Sequence, residues 1–488
     1  LKVVLFPQPK KPVPPAALPP VPPPPAAKAP PAPPRPAPRA ESAPPVPPPA
    51  APPEQRRAAE LPAEIPEDGI RNHIVQSAGL YELLGKREGP IPVPLTGVDA
   101  ASSPVAELID KILDSAVSQR ASDIHIEPQA DTLDVRLRVD GVLHTLIRLP
   151  TTVTDNITAR IKILCGLNIT EKRLPQDGQF VRKDAAGRST KLRVSTLPAV
   201  FGEKVVLRLL PGQDRRGGLD TLGFNVDEMA LLRQVLRAPS GVVLVTGPTG
   251  SGKTSTLYTM LDFLNSRERN IVTVEDPVEY QLPGITQVQV NPGIGYTFER
   301  VLRSFLRQDP DVMLVGEIRD AETAEIALKA AVTGHLIFST LHTNDAVGAV
   351  HRLQSMGCAP YLIAAATRLV IAQRLVRVLC PKCKVSGRLA ADEASMIAPQ
   401  EAAALTHVWH PGGCSACHGI GYKGRRVLFE MLPILTTEMR EAIAKGVSPD
   451  EMTALALKEG MTPMRRNALK LVAEGVTSLE EALSSLNV

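Results

Sequence analysis

Apolar residues recur at helical spacing from Val105 to Val117 and then give way to alternating apolar and polar residues. The first pattern predicts a helix over residues 105–117, and the second predicts strands over 123–127, 133–139 and 142–146. Asp140 and Gly141 separate the last two strands, and this pair is typical of a hairpin turn. Similar runs predict strands at 191–196 and 204–209. Residues 101–210 are therefore predicted to form a small α+β domain.

A different pattern follows a polar, glycine-bearing stretch, residues 211–222, which we interpret as a hinge linker. Short apolar runs at 242–246, 271–275, 311–315 and 336–340 alternate with helical segments. Such runs are typical of parallel strands that are buried on both faces. The chain beyond Cys417 is predicted to be mostly helical. The fold class is therefore α/β, with the domain core at 223–379 and a C-terminal helical region at 426–488.

Composition changes the interpretation of the first hundred residues. Of the 48 prolines, 26 lie in residues 1–70, and proline blocks helix and sheet interiors. Residues 1–66 are predicted to be a Pro/Ala-rich disordered tail. The tail is either a docking segment or spacer, or an unselected linker or sequence upstream of the true start. Residues 67–100 are interpreted as a linker or a remnant N-terminal region.

Charge narrows the class of protein. The net charge of +4 arises in residues 1–66, which carry eight Lys/Arg and four Asp/Glu, so the rest of the chain is neutral. Aromatic residues make up only 3% of the chain. A neutral body with few aromatic residues argues against a general nucleic-acid binder. No apolar run in the sequence reaches the roughly 18 residues of a membrane span.

The strongest motif is GPTGSGKT, which follows the predicted strand 242–246 and begins a predicted helix over 254–265. This is GxxxxGK[ST], in which backbone N–H groups surround phosphates at a helix N-terminus. Lys253 is expected to reach the β- and γ-phosphates of a nucleotide, and Thr254 is expected to ligate Mg²⁺. The predicted nucleotide-binding residues are Gly247, Pro248, Thr249, Gly250, Ser251, Gly252, Lys253, Thr254 and Ser255.

Acidic residues follow two other predicted strands. Glu317 ends the run DVMLVGE, which has the Walker B arrangement of an apolar strand followed by an acid, and Glu275 and Glu279 follow strand 271–275. Carboxylates at the carboxyl ends of parallel strands lie in the ligand crevice of an α/β sheet. They could hold Mg²⁺ or orient the attacking water, and spacing alone does not decide which one is the base.

Histidines and arginines near these motifs have two possible roles. His335 and His342 bracket strand 336–340 and either sense a phosphate or are packed, capping residues. Arg303 and Arg307 share one helix face and either contact phosphates or form surface ion pairs.

Taken together, GPTGSGKT, EDPVEY at 275–280, LRQDPDVMLVGEIRD at 306–320 and TGHLIFSTLHTNDA at 333–346 resemble the Walker A, Asp box, Walker B and His box of the type II/IV secretion ATPase superfamily. They are most similar to the type II secretion and type IV pilus assembly ATPases. The runs ASDIHIEP at 121–128 and RLPQDG at 173–178 support the resemblance, which covers residues 101–488.

The resemblance implies a RecA-like ATPase domain preceded by a PAS-like domain, in a hexamer whose small domain lends arginines to a neighbouring site. Arg160, Arg173 and Arg193 are the candidates for that role. It further implies ATP and Mg²⁺ as ligands, an inner-membrane platform protein as partner, no direct nucleic acid, and a cytoplasmic location peripheral to the membrane. Residues 422–432 favour pilus assembly and residues 346–353 favour type II secretion. From the resemblance, we expect the N-terminal platform-binding domain of the family to be absent or reduced to residues 67–100.

Two CxxC pairs lie in the segment 380–425, predicted to be a zinc-binding module. Four thiolates suit a structural zinc site, although the spacing between the pairs exceeds that of common zinc ribbons. The assembly ATPases that the sequence resembles carry such a tetracysteine insertion. CSACH at 414–418 also has the CxxCH form of c-type haem attachment, which would need an export signal. The predicted zinc ligands are Cys380, Cys383, Cys414 and Cys417.

The sequence thus predicts a hexameric ATPase that drives assembly of a pilus or of the pseudopilus of type II secretion. A DNA-uptake or conjugation motor and a non-hydrolysing nucleotide-gated scaffold are the alternatives.

Overall fold

A computed structural model describes residues 104–184, 187–210, 217–405 and 407–486. The predictions for the tail, for residues 67–100 and for residues 211–216 of the linker lie outside the described residues. No helix in the described ranges combines the length and the hydropathy that a bilayer crossing requires.

The first domain consists of a six-stranded antiparallel sheet, in the order β3-β2-β1-β6-β5-β4, with two helices. Its elements are α1 (Pro104–Ser118), β1 (Asp123–Pro128), β2 (Thr132–Val139), β3 (Val142–Pro150), α2 (Thr154–Cys165), β4 (Gln176–Lys183), β5 (Ser189–Ala199) and β6 (Gly202–Leu210). The prediction of a small α+β domain with a hairpin at Asp140 and Gly141 is confirmed.

Alternation along β1 separates the two faces of this sheet. Ile124 and Ile126 are buried in the core together with residues of both helices. Asp123 and Glu127, whose side chains lie on the other face, are also buried because cations surround them. Glu127 contacts Arg136 and, at 2.7 Å, Lys204. These cations lower the pKa of Glu127, although burial alone would raise it.

The second domain contains a seven-stranded sheet in the order β15-β12-β7-β11-β10-β8-β9. The strands are parallel except β15, which runs antiparallel to β12. The elements up to the end of β12 are α3 (Val226–Leu236), β7 (Gly241–Thr246), α4 (Lys253–Leu264), β8 (Ile271–Glu275), β9 (Thr286–Gln289), α5 (Phe298–Phe305), β10 (Val312–Val315), α6 (Ala321–Val332), β11 (Leu336–Leu341), α7 (Ala346–Ser355), α8 (Pro360–Ala366) and β12 (Thr367–Leu379).

The remaining chain forms a small insertion, the last strand of the sheet and four helices. Its elements are β13 (Val385–Gly387), α9 (Ala391–Ser395), α10 (Pro399–Ala404), β14 (Val408–His410), β15 (Tyr422–Pro433), α11 (Thr437–Lys445), α12 (Pro449–Lys458), α13 (Met464–Ala473) and α14 (Leu479–Leu486). The predicted α/β fold and its four parallel strands are confirmed, with β10 beginning at Val312 rather than at residue 311.

Strand β15 was not indicated by the sequence, although the four helices after it confirm the predicted C-terminal helical region. The residues of β15 are buried on both sides of the sheet: Phe429 and Met431 pack on one face, and Leu428 and Leu432 on the other. Strands β4, β9, β12, β13 and β14 were likewise not indicated by the sequence patterns.

Candidate nucleotide-binding and hydrolysis site

The loop between β7 and α4 has a backbone conformation that requires glycine at three positions. Gly247, Gly250 and Gly252 have φ values of 147°, 81° and 88°, which side chains rarely permit. At Gly247 a Cβ atom would lie 2.4 Å from the backbone oxygen of Gln373. The Lys253 side chain folds back over this loop, and its Nζ donates to the backbone oxygens of Gly247 at 2.8 Å and Pro248 at 3.0 Å. The loop therefore forms a cradle with a cation at its rim.

Residues of all four sequence motifs line one cleft beside this cradle. It is bounded by Lys253, Thr254, Leu257, Glu275, Asp276, Pro277, Glu279, Phe298, Leu314, Gly316, Glu317, Thr340 and His342. The cleft lies at the carboxyl ends of parallel strands, where ligands of such sheets bind. Burial and the guanidinium of Arg374 lower the pKa of Lys253, whereas the carboxylate of Glu317 opposes that shift.

Glu317 presents a partly exposed carboxylate to this cleft. Its side chain is 17% exposed, and its Oε2 lies 3.6 Å from the Nε2 of His342. Arg319 also contacts the Glu317 carboxylate, and this partner raises the pKa of Arg319. The residue before it is glycine because a Cβ at Gly316 would lie 3.1 Å from the oxygen of Val274 on the adjacent strand.

Glu275 lines the same cleft but is held by hydrogen bonds. It is 4% exposed, and it accepts from Tyr258, from Thr273 Oγ1 at 2.5 Å and from Gln287 Nε2 at 3.2 Å. Burial raises the pKa of Glu275, and these donors oppose the shift. With three donors around it, Glu275 is suited to fixing β8 and its loop rather than to accepting a proton from water.

The four cysteines of the insertion also come together. Their sulfur atoms all lie within 4.8 Å of one another, with contacts of 3.9 Å for Cys380–Cys414 and 3.7 Å for both Cys383–Cys417 and Cys414–Cys417. A tetrahedral zinc with Zn–S bonds of about 2.3 Å requires S–S separations of about 3.8 Å. The backbone N–H of Gly421 donates to Cys417 Sγ at 3.3 Å, which suits a thiolate. The donor set therefore fits a structural zinc ion.

Comparison with known proteins assigns the family. The family model described as "Type II/IV secretion system protein" matches residues 99–484. The chain belongs to this family. It is 45% identical over 388 residues to the type IV pilus assembly ATPase PilB of Myxococcus xanthus, covering 79% of this chain and 68% of PilB. It is 48% identical over 381 residues to type II secretion system protein E of Pseudomonas aeruginosa, covering 78% of this chain and 75% of that protein.

Two solved structures share the fold. The pilus retraction motor PilT with bound ADP aligns with a TM-score of 0.52 and 26% identity, covering 77% of this chain and 96% of PilT. The ATPase DotB of Legionella pneumophila aligns with a TM-score of 0.59 and 23% identity, covering 78% of this chain and 95% of DotB. The resemblance of the sequence to the secretion ATPases is thus confirmed.

In this type II/IV secretion family member the two predicted histidines lie at opposite ends of one strand. His342 follows β11 and lies in the cleft, whereas His335 precedes β11 and its Nδ1 contacts the oxygen of Ala330 at 2.9 Å. Six residues of strand separate the ends by about 20 Å. Within one chain His335 therefore does not reach the phosphates, and its contact with Ala330 near the end of α6 fits the capping alternative that the sequence left open. Of the two, only His342 is placed for that role.

The predicted arginines lie in different surroundings, and Arg303 and Arg307 lie on the surface. Arg303 is 59% exposed and pairs with Glu322, and Arg307 donates to the oxygen of Arg303 at 2.9 Å. The sequence left two roles open for this pair, phosphate contact and surface pairing, and the structure favours surface pairing.

In the small domain, Arg173 is 86% exposed and pairs with Glu171, and Arg160 is half-buried outside the cleft. Arg193 reaches the ATPase domain of its own chain. Its Nη2 donates to the oxygen of Val278 at 3.0 Å, and its Nη1 lies 3.6 Å from Glu279.

Several residues at the site were not found from the sequence. Arg319 and Phe298 contact or line the catalytic cleft, Tyr258 and Gln287 hold Glu275, and Gln373 contacts the phosphate loop. Arg319 lies two residues after Glu317 in the Walker B motif, so the sequence could have indicated that it contacts this acid. The other contacts depend on how distant segments pack.

Proposed function

We propose that the chain is an ATPase that hydrolyses ATP to drive the assembly of a pilus or pseudopilus filament. The observation that carries the proposal is the single cleft in which Lys253, Glu317 and His342 meet, three residues from three separate motifs. Membership of the type II/IV secretion family and high identity to a pilus assembly ATPase and to type II secretion protein E support the coupling to filament assembly.

Binding of ATP follows from the geometry of the phosphate loop. The backbone N–H groups of residues 249–254, at the N-terminus of α4, surround the β-phosphate, and Lys253 leaves its carbonyl partners to bind the β- and γ-phosphates. Thr254 is exposed at the helix start, where its hydroxyl would hold Mg²⁺. This ion supplies positive charge to the phosphate oxygens.

Hydrolysis requires a water molecule in line with the γ-phosphate. Glu317 orients this water and accepts its proton, and the adjacent His342 and Arg319 hold the carboxylate in place. As the bond to the γ-phosphate breaks, negative charge passes to the leaving ADP, and Lys253 stabilises it. Glu275 and Glu279 shape the wall of the cleft.

The working assembly that we propose is a homohexamer on the inner face of the cytoplasmic membrane, bound to an integral platform protein of the secretion or pilus system. Arg173 is exposed enough to reach a neighbouring subunit, so it and Arg160 stay candidates for a neighbour's site. The four cysteines would hold one Zn²⁺, because their sulfur spacings match a tetrahedral site.

The test of the proposal is ATP turnover by the full chain with Lys253→Ala. We expect turnover to be lost, because among the described residues no other lysine lines the cleft. The matched control is Lys329→Ala, which removes a surface lysine paired with Glu325 and leaves the cleft intact. Turnover near the wild-type rate in Lys253→Ala would refute the assignment. Restoration of piliation or secretion by the wild-type gene in a deletion strain, and not by K253A, tests the coupling.

A further inference from the structure

Two adjacent residues in the middle of β12 contact the loops that form the cleft. Gln373 is fully buried, and its Nε2 donates to the backbone oxygen of Ser251 at 2.7 Å. Its own backbone oxygen occupies the space in which a Cβ on Gly247 would lie. One residue thus contacts the phosphate loop twice, near its start and near its end.

The next side chain contacts the second loop of the site. Arg374 is 3% exposed, and its Nη2 donates to both the backbone oxygen and the Oδ1 of Asn344, each at 3.1 Å. Asn344 lies two residues after His342. The same loop is tied to β7, because the N–H of Thr343 donates to Thr246 Oγ1 at 2.9 Å. The backbone that carries His342 is therefore fixed from two strands.

The register of the sheet explains why neighbours on one strand reach different loops. Ala372 of β12 pairs with Thr246, the last residue of β7, so Gln373 and Arg374 lie level with the start of the phosphate loop. Successive side chains of a strand point to opposite faces. Gln373 accordingly reaches the loop on the α4 side, and Arg374 reaches the loop that leads into α7.

Polar side chains at these positions are costly, and this cost argues for a role. An amide or a guanidinium inside a sheet must recover its desolvation energy through hydrogen bonds, whereas an apolar residue of the same size would fill the space without that cost. Burial lowers the pKa of Arg374, and the carboxylates of Asp345 and Glu430 partly compensate. The contacts that Gln373 and Arg374 make in return go to the two loops of the cleft.

We propose that Gln373 and Arg374 are positioning residues with separate tasks. Gln373 sets the phosphate loop around the phosphates that ADP and ATP share. Arg374 sets the loop that places His342 beside Glu317, where the γ-phosphate reacts. The proposal rests on the ATPase function proposed above, because it divides nucleotide binding from hydrolysis.

The two tasks predict different defects in the full-length protein. For Gln373→Met, which keeps the size and removes the donor, we expect the Kd of a fluorescent ADP to rise by about five- to tenfold, the effect of one lost hydrogen bond. For Arg374→Lys, which keeps the charge and removes the forked donor, we expect the Kd for ADP to stay within about twofold of wild type. Its kcat for ATP should fall by about tenfold, the effect of one lost interaction in the transition state.

Ile371→Val is the matched control, since it removes one buried methylene from the same strand without touching either loop. It should lower the melting temperature slightly and change neither Kd nor kcat. If Gln373→Met binds ADP as wild type does, or if Arg374→Lys loses ADP affinity and kcat in parallel, the proposal is refuted. A wild-type chain that binds ADP but hydrolyses no ATP would refute the proposed function instead. In that case the Kd of Gln373→Met for ADP would still test the role of Gln373 in nucleotide binding.

Discussion

The carboxylate of Glu430 joins three parts of the ATPase domain, and its removal should be strongly destabilising. Glu430 lies on β15 and is 6% exposed. Its Oε1 accepts from the N–H of Ala346, the first residue of α7, at 3.0 Å. Its Oε2 accepts from the N–H of Met464, the first residue of α13, at 2.9 Å. The first N–H groups of a helix have no partner inside the helix, so one side chain satisfies two helix starts.

The magnitude follows from these two contacts. A hydrogen bond to a charged group contributes about 1.5–3 kcal/mol, and a buried N–H left without a partner costs a similar amount. Glu430→Ala removes both bonds, so we expect the free energy of unfolding to fall by about 3–5 kcal/mol. Glu430→Gln retains one accepting oxygen and turns an amide NH₂ toward the other N–H, so it should lose roughly half as much.

Hydrogen exchange measured by mass spectrometry separates this effect from a general loss of stability. In Glu430→Ala the amides that begin α7 and α13 should exchange faster than those in the middle of the same helices, and the thermal midpoint should fall by roughly 6–20 °C. The control is Glu441→Gln, which removes a surface charge paired with Lys445 and should cost less than about 0.5 kcal/mol. The reasoning is wrong if Glu430→Ala has the same thermal midpoint as the control and if the first amides of α7 and α13 exchange as slowly as in the wild type.

Three further predictions concern the chemistry and the metal. Glu317→Gln should bind ATP and hydrolyse it far more slowly, measured by phosphate release, whereas Glu275→Gln should keep more of the turnover because its carboxylate is already held by three donors. The reverse order would exchange their roles. The fragment 219–488 should bind nucleotide and turn it over poorly if arginines of residues 101–210 complete a neighbour's site. A fully active monomeric fragment would contradict that. Cys414→Ser should lower both the zinc content, measured by elemental analysis, and the melting temperature, and unchanged values of both would argue against a zinc site.

The elements that sequence patterns predicted share a simple signal. Strands β7, β8, β10 and β11 are short apolar runs. Each is followed by a phosphate loop, an acidic residue or a polar loop whose residue types indicate a binding site. Strand β12 was missed because arginines interrupt its apolar run. Each of them is accommodated by a partner distant in sequence: Arg368 donates to Ser240, Arg374 to Asn344 and Arg377 to Glu481. A periodicity argument cannot supply such partners.

The candidate site shows the same limit. The motifs placed Lys253, Glu317 and His342 correctly because each follows a parallel strand, and the carboxyl ends of such strands meet at one edge. His335 has the same residue type and the same motif, but it precedes its strand. The different roles of Glu275 and Glu317 could not be predicted either. They depend on whether Tyr258 and Gln287 reach the carboxylate of Glu275 in the folded protein.

The tetracysteine insertion leaves and re-enters the sheet at one point. Strands β12 and β15 form an antiparallel pair, and beyond their ends the N–H of Cys380 donates to the oxygen of Gly421 at 2.9 Å. The forty residues between these two therefore form a long loop at the end of a hairpin, and closing it costs about 2 kcal/mol more than closing a four-residue turn. Leu405 and Val408 of this insertion pack into the core of the ATPase domain, and Glu401 pairs with Arg465 of α13. Evolution could therefore not discard the insertion without exposing apolar surface of the motor.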